Sequence, residues 1–398
     1  MKILVLAPHP YYQERGTPIA VDMLLKVLSE RGDEVDLLTY HEGRDREYPK
    51  LCIYRIPRVP GLSNVRPGIS FKKIVCDILF FFSVLSRLTK TRYDIVHAIE
   101  ESAFIAMLTR PFSATPYIAD MDSLLSAQVI DRYPVLKCCG GLLRWMESLP
   151  VRYACMVVPM CDVLADDIRG YTSDDNVVVL YDVSLVESSA TDVAALPLRD
   201  ELNLETFVVM YIGNLEPYQG IDLLLGAFKL AHAQSSSQSG SLSLVVVGGR
   251  ADDIEKYQAM AHRLGLGEAV HFLGPRGVDE IGGYMSQADA LVSPRTQGIN
   301  TPMKIYSYLD SGVPVLATDL PTHTQVLNSE NSLLVEPNEE SFAKGLLTLK
   351  ADASLRQKLS SNAKEYIKRE HSYDRFKETV NGIYARVESL VSLRSTES

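Results

Sequence analysis

Residues 293–318, SPRTQGINTPMKIYSYLDSGVPVLAT, form the stretch that decides the fold class of this chain. Their pattern predicts a strand end, a polar loop, a helix with Thr301 as its N-cap and Gly312 as its stop, and a short buried strand at 313–317. A helix that begins directly after a strand turns free backbone N–H groups and a positive dipole towards any ligand there. Lys304 adds a full charge on the first turn, so the stretch predicts an anion site. An ordinary α/β connection with a surface lysine is the equally weighted alternative.

The same alternation of strands and helices continues through most of the sequence. Short apolar runs that predict strands lie at 3–7, 35–39, 94–99, 117–120, 156–159, 177–181, 207–212, 242–247, 269–273 and 290–293. Helical periodicity is clearest at 18–31, 222–233, 253–264, 279–287 and 372–393. Repeated units of this kind predict an α/β fold with two doubly wound parallel sheets. Ligands bind at the carboxyl ends of such strands, so we expect a central cleft between two domains.

The predicted domains are separated by a change of composition. We expect an N-terminal domain over 1–190, a C-terminal domain over 200–370 and a helix over 371–398 that closes the molecule. The interdomain linker is predicted at 184–200, which is rich in Ser, Thr, Ala and Asp. The serine-rich segment 235–241 is predicted to be a flexible surface loop within the second domain.

Composition narrows the classes of protein to consider. The chain has 398 residues and a net charge of −10, which argues against a general nucleic-acid binder. Its six cysteines contain no C-x-x-C pair, so they indicate reduced thiols and give zinc little support. The first apolar run is too short for a signal peptide, and no run reaches the roughly 20 apolar residues of a membrane span. We therefore expect a cytoplasmic protein.

Six short segments, taken in order, resemble the glycosyltransferases of family 4. They are GDEV at 32–35, DIVH at 94–97, YIGNLEPYQGIDLLL at 211–225, VVVGG at 245–249, FLG at 272–274 and ADALVSP at 288–294. The resemblance implies the GT-B fold, with two Rossmann-like domains facing a cleft. It also implies transfer of a sugar from a nucleotide-diphosphate donor to a glycan or lipid-linked acceptor, with retention of configuration and without a metal or other cofactor. The donor is then expected on the second domain and the acceptor on the first.

Candidate site residues follow the predicted strand ends. The candidates for donor binding are Gly16, Gly213, Asn214, Gln219, Gly220, Arg276, Arg295, Asn300, Thr301 and Ser307. Lys304 is a catalytic candidate because a departing diphosphate needs positive charge. Asp122 and Glu100 are catalytic candidates that would orient a sugar or acceptor hydroxyl. The candidates for acceptor binding are Arg15, Thr17 and Asp120.

Four positions depart from the family pattern. Asn214 and Gln219 stand where the family usually has a diphosphate-binding Arg and Lys, Ser307 replaces a glutamate that holds the donor ribose, and Ile99 replaces a histidine. Either transfer has been lost or other groups perform it. The remaining cations and N–H donors favour retained transfer, since neutral amides still donate hydrogen bonds at about half the strength. The alternatives are a catalytically silent GT-B module that binds a glycan or partner, and a GT-B nucleotide-sugar epimerase.

One segment has a charge opposite to that of the whole chain. Residues 44–92 contain eleven basic and three acidic residues, a net charge of +8. Within this segment, the apolar and basic run 69–88 is too short and too charged to span a bilayer. It predicts either a helix on an anionic membrane surface or a helix that covers the first sheet. We therefore expect the basic loops to give peripheral contact with the inner face of the cell membrane.

Overall fold

The computed structural model describes residues 1–13, 16–63, 65, 70–185, 197–235 and 241–396. The chain divides into two compact units. The first comprises Met1–Tyr181 and Phe376–Ser398, and the second comprises Asp182–Arg375. Most of the predicted linker and of the predicted serine-rich loop falls outside the described residues.

The first unit is built on a six-stranded sheet whose strands are all parallel. They are β1 (Lys2–Ala7), β2 (Glu34–Thr39), β3 (Leu51–Arg55), β4 (Ile95–Ile99), β5 (Tyr117–Met121) and β6 (Met156–Pro159). The spatial order is β3-β2-β1-β4-β5-β6. The sequence pattern did not predict β3, a half-exposed edge strand without a buried apolar run. The strand predicted at 177–181 was wrong, because that segment forms only an isolated bridge between Val177 and Val157.

In the described ranges, six α-helices accompany this sheet before the chain enters the second unit. They are α1 (Gly16–Glu30), α2 (Phe71–Lys90), α3 (Ser102–Thr109), α4 (Leu125–Arg132), α5 (Gly140–Tyr153) and α6 (Asp162–Arg169). Helix α2 buries Cys76, Phe80, Val84 and Leu88 at four-residue spacing, so the predicted helix covering the first sheet is confirmed. None of the helices in the described ranges combines the length and the apolar character that a membrane span requires.

The second unit repeats the same topology. Its strands are β7 (Phe207–Ile212), β8 (Leu242–Val247), β9 (Val270–Gly274), β10 (Ala290–Ser293), β11 (Val315–Thr318) and β12 (Leu333–Val335). All are parallel, in the order β12-β11-β10-β7-β8-β9. Its helices are α7 (Leu198–Glu201), α8 (Ile221–Ser235), α9 (Ala251–Arg263), α10 (Ile281–Met285), α11 (Lys304–Ser311), α12 (Pro321–Thr324), α13 (Glu339–Ala351) and α14 (Ala353–Glu370).

The chain returns to the first unit through its last helix, α15 (Tyr373–Thr396). Tyr384 of this helix is fully buried, and its hydroxyl lies 2.9 Å from Nδ1 of His97 in β4. Arg31 stacks on the Tyr384 ring at 5.4 Å and pairs with Glu388. The last helix is therefore part of the structure that covers the first sheet.

Both sheets reverse their strand order beside their first strand. The reversal lies between β1 and β4 in the first unit and between β7 and β10 in the second. The two doubly wound halves that the sequence predicted are confirmed. Open parallel sheets bind ligands beyond the carboxyl ends of the strands at this reversal. A binding site is therefore expected in the loops that follow the strands at each reversal, which begin after Ala7, Ile99, Ile212 and Ser293.

Candidate functional site

The loops after β7 and β10 meet through two glycines. Gly213 follows β7 with a φ of +149°, and a Cβ added to it would lie 3.3 Å from Nζ of Lys304. Gly220 has a φ of +74°, and an added Cβ would lie 2.0 Å from the carbonyl oxygen of Pro294. Only glycine combines these backbone angles with such close approach. The two loops therefore form one surface at the reversal of the second sheet.

Lys304 begins helix α11 at the centre of this surface. Its Nζ donates a hydrogen bond to Oε1 of Gln219 at 3.0 Å and lies 4.0 Å from the centroid of the Tyr211 ring. Burial, with a smaller contribution from the charge of Arg295, lowers the pKa of Lys304 well below its usual value. The ammonium form is thus destabilised in the free protein, and an anion bound beside it would stabilise that form.

The predicted N-cap at Thr301 is wrong. Helix α11 starts at Lys304, and Met303 precedes it without a side-chain cap. The residues before it form a tighter turn, in which the N–H of Ile305 donates to the carbonyl of Pro302. Thr301 is only 1% exposed, and its hydroxyl has no hydrogen-bond partner among the described residues. The predicted stop at Gly312 is confirmed by its left-handed backbone, with a φ of +75°.

A buried hydroxyl without a partner costs about 1–3 kcal/mol relative to one that is hydrogen-bonded. Such groups in native proteins call for an explanation, and a ligand oxygen is one. Thr301 lies three residues before Lys304 in the loop that follows β10. The unsatisfied hydroxyl therefore supports a ligand site at the position where the capping motif did not form.

Arg295 braces the polar loop between β10 and α11. Its guanidinium donates to the carbonyl of Gln297 at 2.8 Å, and to the carbonyl and Oδ1 of Asn300 at 3.2 Å each. The side chain is 8% exposed and stacks on Tyr218 with 5.1 Å from Cζ to the ring centroid. Burial lowers its pKa from the usual value. Arg295 thus holds Asn300 in place and adds positive potential near Lys304.

The sequence motifs did not point to His323, which lies beneath this loop. Its Nε2 is 2.9 Å from Oγ of Ser293, and its Nδ1 is 2.9 Å from the carbonyl oxygen of Thr318. Burial lowers its pKa to about 4, so the imidazole is neutral at pH 7. It ties the end of β10 to the end of β11. The available signal was a histidine two residues after Pro321, a position with no recognised spacing to the other candidates.

Three predicted donor contacts form hydrogen bonds within the protein. Ser307 is buried, and its hydroxyl accepts a hydrogen bond from the N–H of Leu185 at 3.0 Å. Asn214 is exposed, with Oδ1 accepting from the N–H of Glu216 at 3.2 Å. Arg276 follows β9, two strands from Gly213, and donates to the hydroxyl of Tyr284 at 2.7 Å.

The first unit places carboxyl groups at the corresponding strand ends. Glu100 follows β4 with a φ of +50°, and burial raises its pKa well above the usual value, assisted by Asp122 and Glu101. Asp122 follows β5, and burial raises its pKa to about 7, with a further contribution from Asp120. The hydroxyl of Thr17 donates a hydrogen bond to Asp122. This cluster can therefore hold a proton near neutral pH.

The predicted residues of the first unit that remain are Asp120, Gly16 and Arg15. Asp120 is engaged by His97, whose Nε2 lies 3.0 Å from Oδ2 of the carboxylate. Gly16 begins α1 and is exposed, and a Cβ added there would touch nothing within 4 Å. The predicted acceptor contact Arg15 lies outside the described residues. No group of three or more His, Cys, Asp or Glu side chains suited to a metal occurs in the described part of the chain.

The basic segment 44–92 is partly committed to internal contacts. Arg55 donates hydrogen bonds to the carbonyls of Tyr11, Tyr40, Glu42 and Arg44 and forms an ion pair with Asp45. Lys73 pairs with Asp77 and Glu101. The basic side chains that remain exposed, and for which no ion pair with the described residues is found, include Lys50, Arg58, Lys72, Lys90 and Arg92.

Sequence comparison identifies the family of the second unit. Residues 197–366 match the model of the glycosyl transferases group 1. A D-inositol 3-phosphate glycosyltransferase of Acidothermus cellulolyticus is 27% identical over 198 residues, and the match covers 48% of this chain but only 44% of that relative. The enzyme of the same name from Corynebacterium glutamicum is 28% identical over 396 residues, with 92% of each chain covered.

Solved structures show the same fold. The sucrose-phosphate synthase of Thermosynechococcus elongatus superposes with a TM-score of 0.78 and 20% identity, over 98% of this chain and 99% of that one. HepE of Anabaena, solved in complex with UDP-glucose, has a TM-score of 0.74 and 17% identity, over 97% and 100% of the two chains. The predicted GT-B architecture is thereby confirmed.

Proposed function

Since residues 197–366 match the model of the glycosyl transferases group 1 and the chain has the GT-B fold, we propose that this chain is a glycosyltransferase that transfers a sugar from a nucleotide-diphosphate donor to a glycan or lipid-linked acceptor. The proposed reaction retains the anomeric configuration and uses no metal or other cofactor, as the resemblance to family 4 implies. The donor binds to the second unit and the acceptor to the first. The binding of UDP-glucose by HepE, which shares the fold, is consistent with such a donor.

The observation that carries this proposal is the arrangement around Lys304. An amine with a lowered pKa, an unpartnered hydroxyl at Thr301 and the close backbone approach at Gly213 meet at the strand reversal of the second sheet. Each would gain from an anionic oxygen: the anion stabilises the charged form of the amine, the hydroxyl gains a partner, and the glycine admits the ligand. A diphosphate supplies several such oxygens.

In the proposed reaction, the bond between the anomeric carbon and the diphosphate oxygen breaks, and a bond from that carbon to the acceptor oxygen forms. The diphosphate leaves with the bonding electrons, and Lys304 stabilises the developing negative charge. The acceptor hydroxyl gives its proton to the departing diphosphate oxygen in the same process. Gln219 and Asn214 take the places of the usual cations as neutral donors, which makes Lys304 more important here than in a site with three positive charges.

The carboxyl cluster of the first unit fits recognition of a hydroxylated acceptor. Asp122, with a pKa of about 7, can accept or donate a hydrogen bond to a sugar hydroxyl near neutral pH, and Glu100 can remain protonated as a donor. Thr17 contacts Asp122, and Asp120 adds negative potential to the same cluster. We assign the acceptor side of the reaction to these residues.

A donor panel tests the proposal directly. The full chain is screened by thermal shift and calorimetry against UDP, GDP and ADP in the presence of EDTA, and turnover is then followed with the matching nucleotide sugars. A ligand at 100 times its dissociation constant stabilises a protein by about 2.7 kcal/mol, which such assays resolve. Binding and sugar transfer are expected. Binding without turnover across a broad acceptor panel would favour the silent module, and an isomerised donor would favour the epimerase.

The same proposal places the enzyme in the cytoplasm, in peripheral contact with an anionic membrane through the basic segment 44–92. The exposed charges that support this contact include Lys50, Arg58, Lys72, Lys90 and Arg92. Each basic residue near an anionic surface contributes about 1 kcal/mol, so the attraction should weaken steeply with salt. Co-sedimentation with anionic and neutral vesicles measures it, and equal pelleting with both would contradict the proposal.

A further inference from the structure

Helix α5 exposes three large apolar side chains to the solvent and buries two polar ones. Leu142, Trp145 and Met146 are 56%, 53% and 45% exposed. Glu147 and Ser148 of the same helix are 3% and 1% exposed. A surface helix of a soluble protein normally has the opposite distribution, with the apolar stripe on the core. The outer face of α5 is therefore expected to be covered by another molecule.

The orientation of α5 is held by specific contacts. Oε2 of Glu147 accepts a hydrogen bond from the hydroxyl of Ser126 at 2.5 Å, and Oε1 accepts from the Ser126 N–H at 3.3 Å. Val151, one turn further along on the inner side, is fully buried. Rotating the helix to cover its apolar stripe would break these bonds and expose Val151. The exposed stripe is thus a stable feature of the fold.

The stripe extends beyond the three central residues. Tyr153 lies on the same face, eight residues after Trp145, and is 56% exposed. The turn before the helix adds Tyr133 and Val135, which are 44% and 82% exposed. We call residues 133–153 the α5 surface. Its aromatic side chains are of the amphipathic kind that concentrates at the boundary between hydrocarbon and water.

The charges of the α5 surface are of one sign. Lys137, Arg144 and Arg152 are exposed and form no ion pair with the described residues. The only acidic side chain within 133–153 is Glu147, which is buried. This local excess of positive charge occurs in a chain of net charge −10. Exposed apolar and aromatic side chains flanked by cations complement the headgroups and upper acyl chains of an anionic bilayer.

We propose that the α5 surface inserts shallowly into an anionic lipid bilayer, with Trp145 at the headgroup boundary. This surface is separate in sequence from the basic segment 44–92 and does not depend on the transfer reaction. A second copy of the chain is the competing occupant. Symmetric pairing of two such surfaces would bring Arg144 and Arg152 against cations of the same kind, which disfavours it.

Trp145 is the only tryptophan in the chain, so its emission reports on this surface without a label. The full-length protein is titrated with phosphatidylcholine vesicles that contain or lack phosphatidylglycerol. A blue shift and quenching by brominated acyl chains are expected with the anionic vesicles. A double variant, Leu142→Ser with Met146→Ser, keeps the reporter and removes apolar area that is already exposed, so the fold should survive. Its partition coefficient is expected to fall roughly tenfold to a hundredfold.

The matched control is Leu390→Ser on α15, which removes a side chain that is 38% exposed outside the α5 surface. It should partition like the wild type. Three results would overturn the inference: co-sedimentation with unchanged Trp145 emission, no association with anionic vesicles, or a blue shift that rises with protein concentration in the absence of lipid. The first of these would leave contact through the basic segment intact. Sugar transfer is assayed separately with a water-soluble acceptor, so its failure would not be confused with failure of insertion.

Discussion

The two units share one topology but surround their strand reversals with groups of opposite charge. The second unit partly buries cations, and burial lowers the pKa values of Lys304 and Arg295. The first unit partly buries carboxyl groups, and burial raises the pKa values of Glu100 and Asp122. In both places desolvation is the largest cause, and it disfavours the charged form. The sign of the local charge therefore decides which ligand group each site would stabilise.

This contrast separates what the fold supplies from what the side chains supply. The fold supplies strand ends, free backbone groups and a place for a ligand in both units. The side chains of the second unit make its strand ends suitable for an anionic diphosphate. Those of the first unit suit hydroxyl groups that exchange protons. A charge change at either site should alter its own function and leave the other unit folded.

The largest effect is expected from Lys304→Met. The variant keeps most of the apolar stem and removes the amine that would stabilise the leaving diphosphate. Loss of one such group typically lowers the rate by about 10²–10³-fold. Turnover of the nucleotide sugar measures it, with circular dichroism as the check on folding. The exposed Lys344→Met on α13 is the matched control and should keep full activity.

A second substitution sharpens that prediction. Gln219 lies 3.0 Å from the Lys304 amine, so Gln219→Lys in the Lys304→Met background returns a cation to nearly the same place. Partial recovery of turnover is expected. A folded Lys304→Met protein with undiminished turnover would remove Lys304 from the mechanism, whatever the double variant does.

The next effect concerns Asp122 in the first unit. Its carboxyl group ionises near pH 3.8 in an unfolded chain and near pH 7 in the folded protein, because it is buried beside Asp120. The folded state thus binds the proton more tightly, and the stabilisation present below about pH 4 is lost as the pH rises through 7. The substitution Asp122→Asn should therefore lower the melting temperature more at pH 4.5 than at pH 8. At pH 8 it should lower the melting temperature least, or even raise it, because the wild-type carboxylate is then buried in its charged form.

Two measurements check this prediction. Melting temperatures of wild type and Asp122→Asn are compared at pH 4.5, 6 and 8, with the exposed Asp175→Asn as the control. If Asp122 also orients the acceptor, the variant should turn over more slowly and lose the inflection near pH 7 in the pH–rate profile. A difference in melting temperature that does not change with pH would show that Asp122 is ionised like an exposed carboxylate.

The strand positions and the repeated topology could be predicted because buried parallel strands are short apolar runs between turn residues. The edge strands β3 and β12 escaped prediction because their residues are mostly half-exposed. Thr301 was predicted both as the cap of α11 and as a donor contact; the capping role was wrong, since the tighter turn before α11 depends on contacts of the whole loop. The sequence alone cannot distinguish a threonine whose hydroxyl caps a helix from one whose buried hydroxyl has no hydrogen-bond partner within the protein.

The electrostatics of the site were the least predictable part. The sequence shows Lys304 as a full positive charge, whereas its desolvation depends on Tyr211, Arg295 and the loops packed around it. His323 is close to the same groups only because the ends of β10 and β11 are neighbours. For α5, apolar periodicity alone predicts a buried stripe, and only the three-dimensional arrangement shows that Glu147 takes the inner side instead.

A smaller effect should appear in the pH dependence of donor binding. Because burial lowers the pKa of Lys304 in the free protein, a bound diphosphate should raise that pKa, so that binding takes up a proton at pH values around and above the pKa of the free amine. Affinity should then decrease with rising pH by at most about tenfold per pH unit. Calorimetry in buffers of different ionisation enthalpy measures the uptake. Lys304→Met corrects for protonation of the nucleotide itself, and equal uptake by both proteins would contradict the assignment.

The smallest effect, and the most specific test of the contrast between the two sites, is expected from Thr301→Val. The valine nearly matches threonine in shape and removes a buried hydroxyl that has no partner among the described residues. The free protein should therefore be as stable as the wild type or slightly more stable, because no hydrogen bond is lost. Binding of the nucleoside diphosphate should weaken by about 0.5–1.5 kcal/mol if the hydroxyl donates to it. Thermal melts with and without ligand measure both quantities on one protein. A destabilised free protein with unchanged affinity would mean that the hydroxyl serves the fold, and would move the donor away from the start of α11.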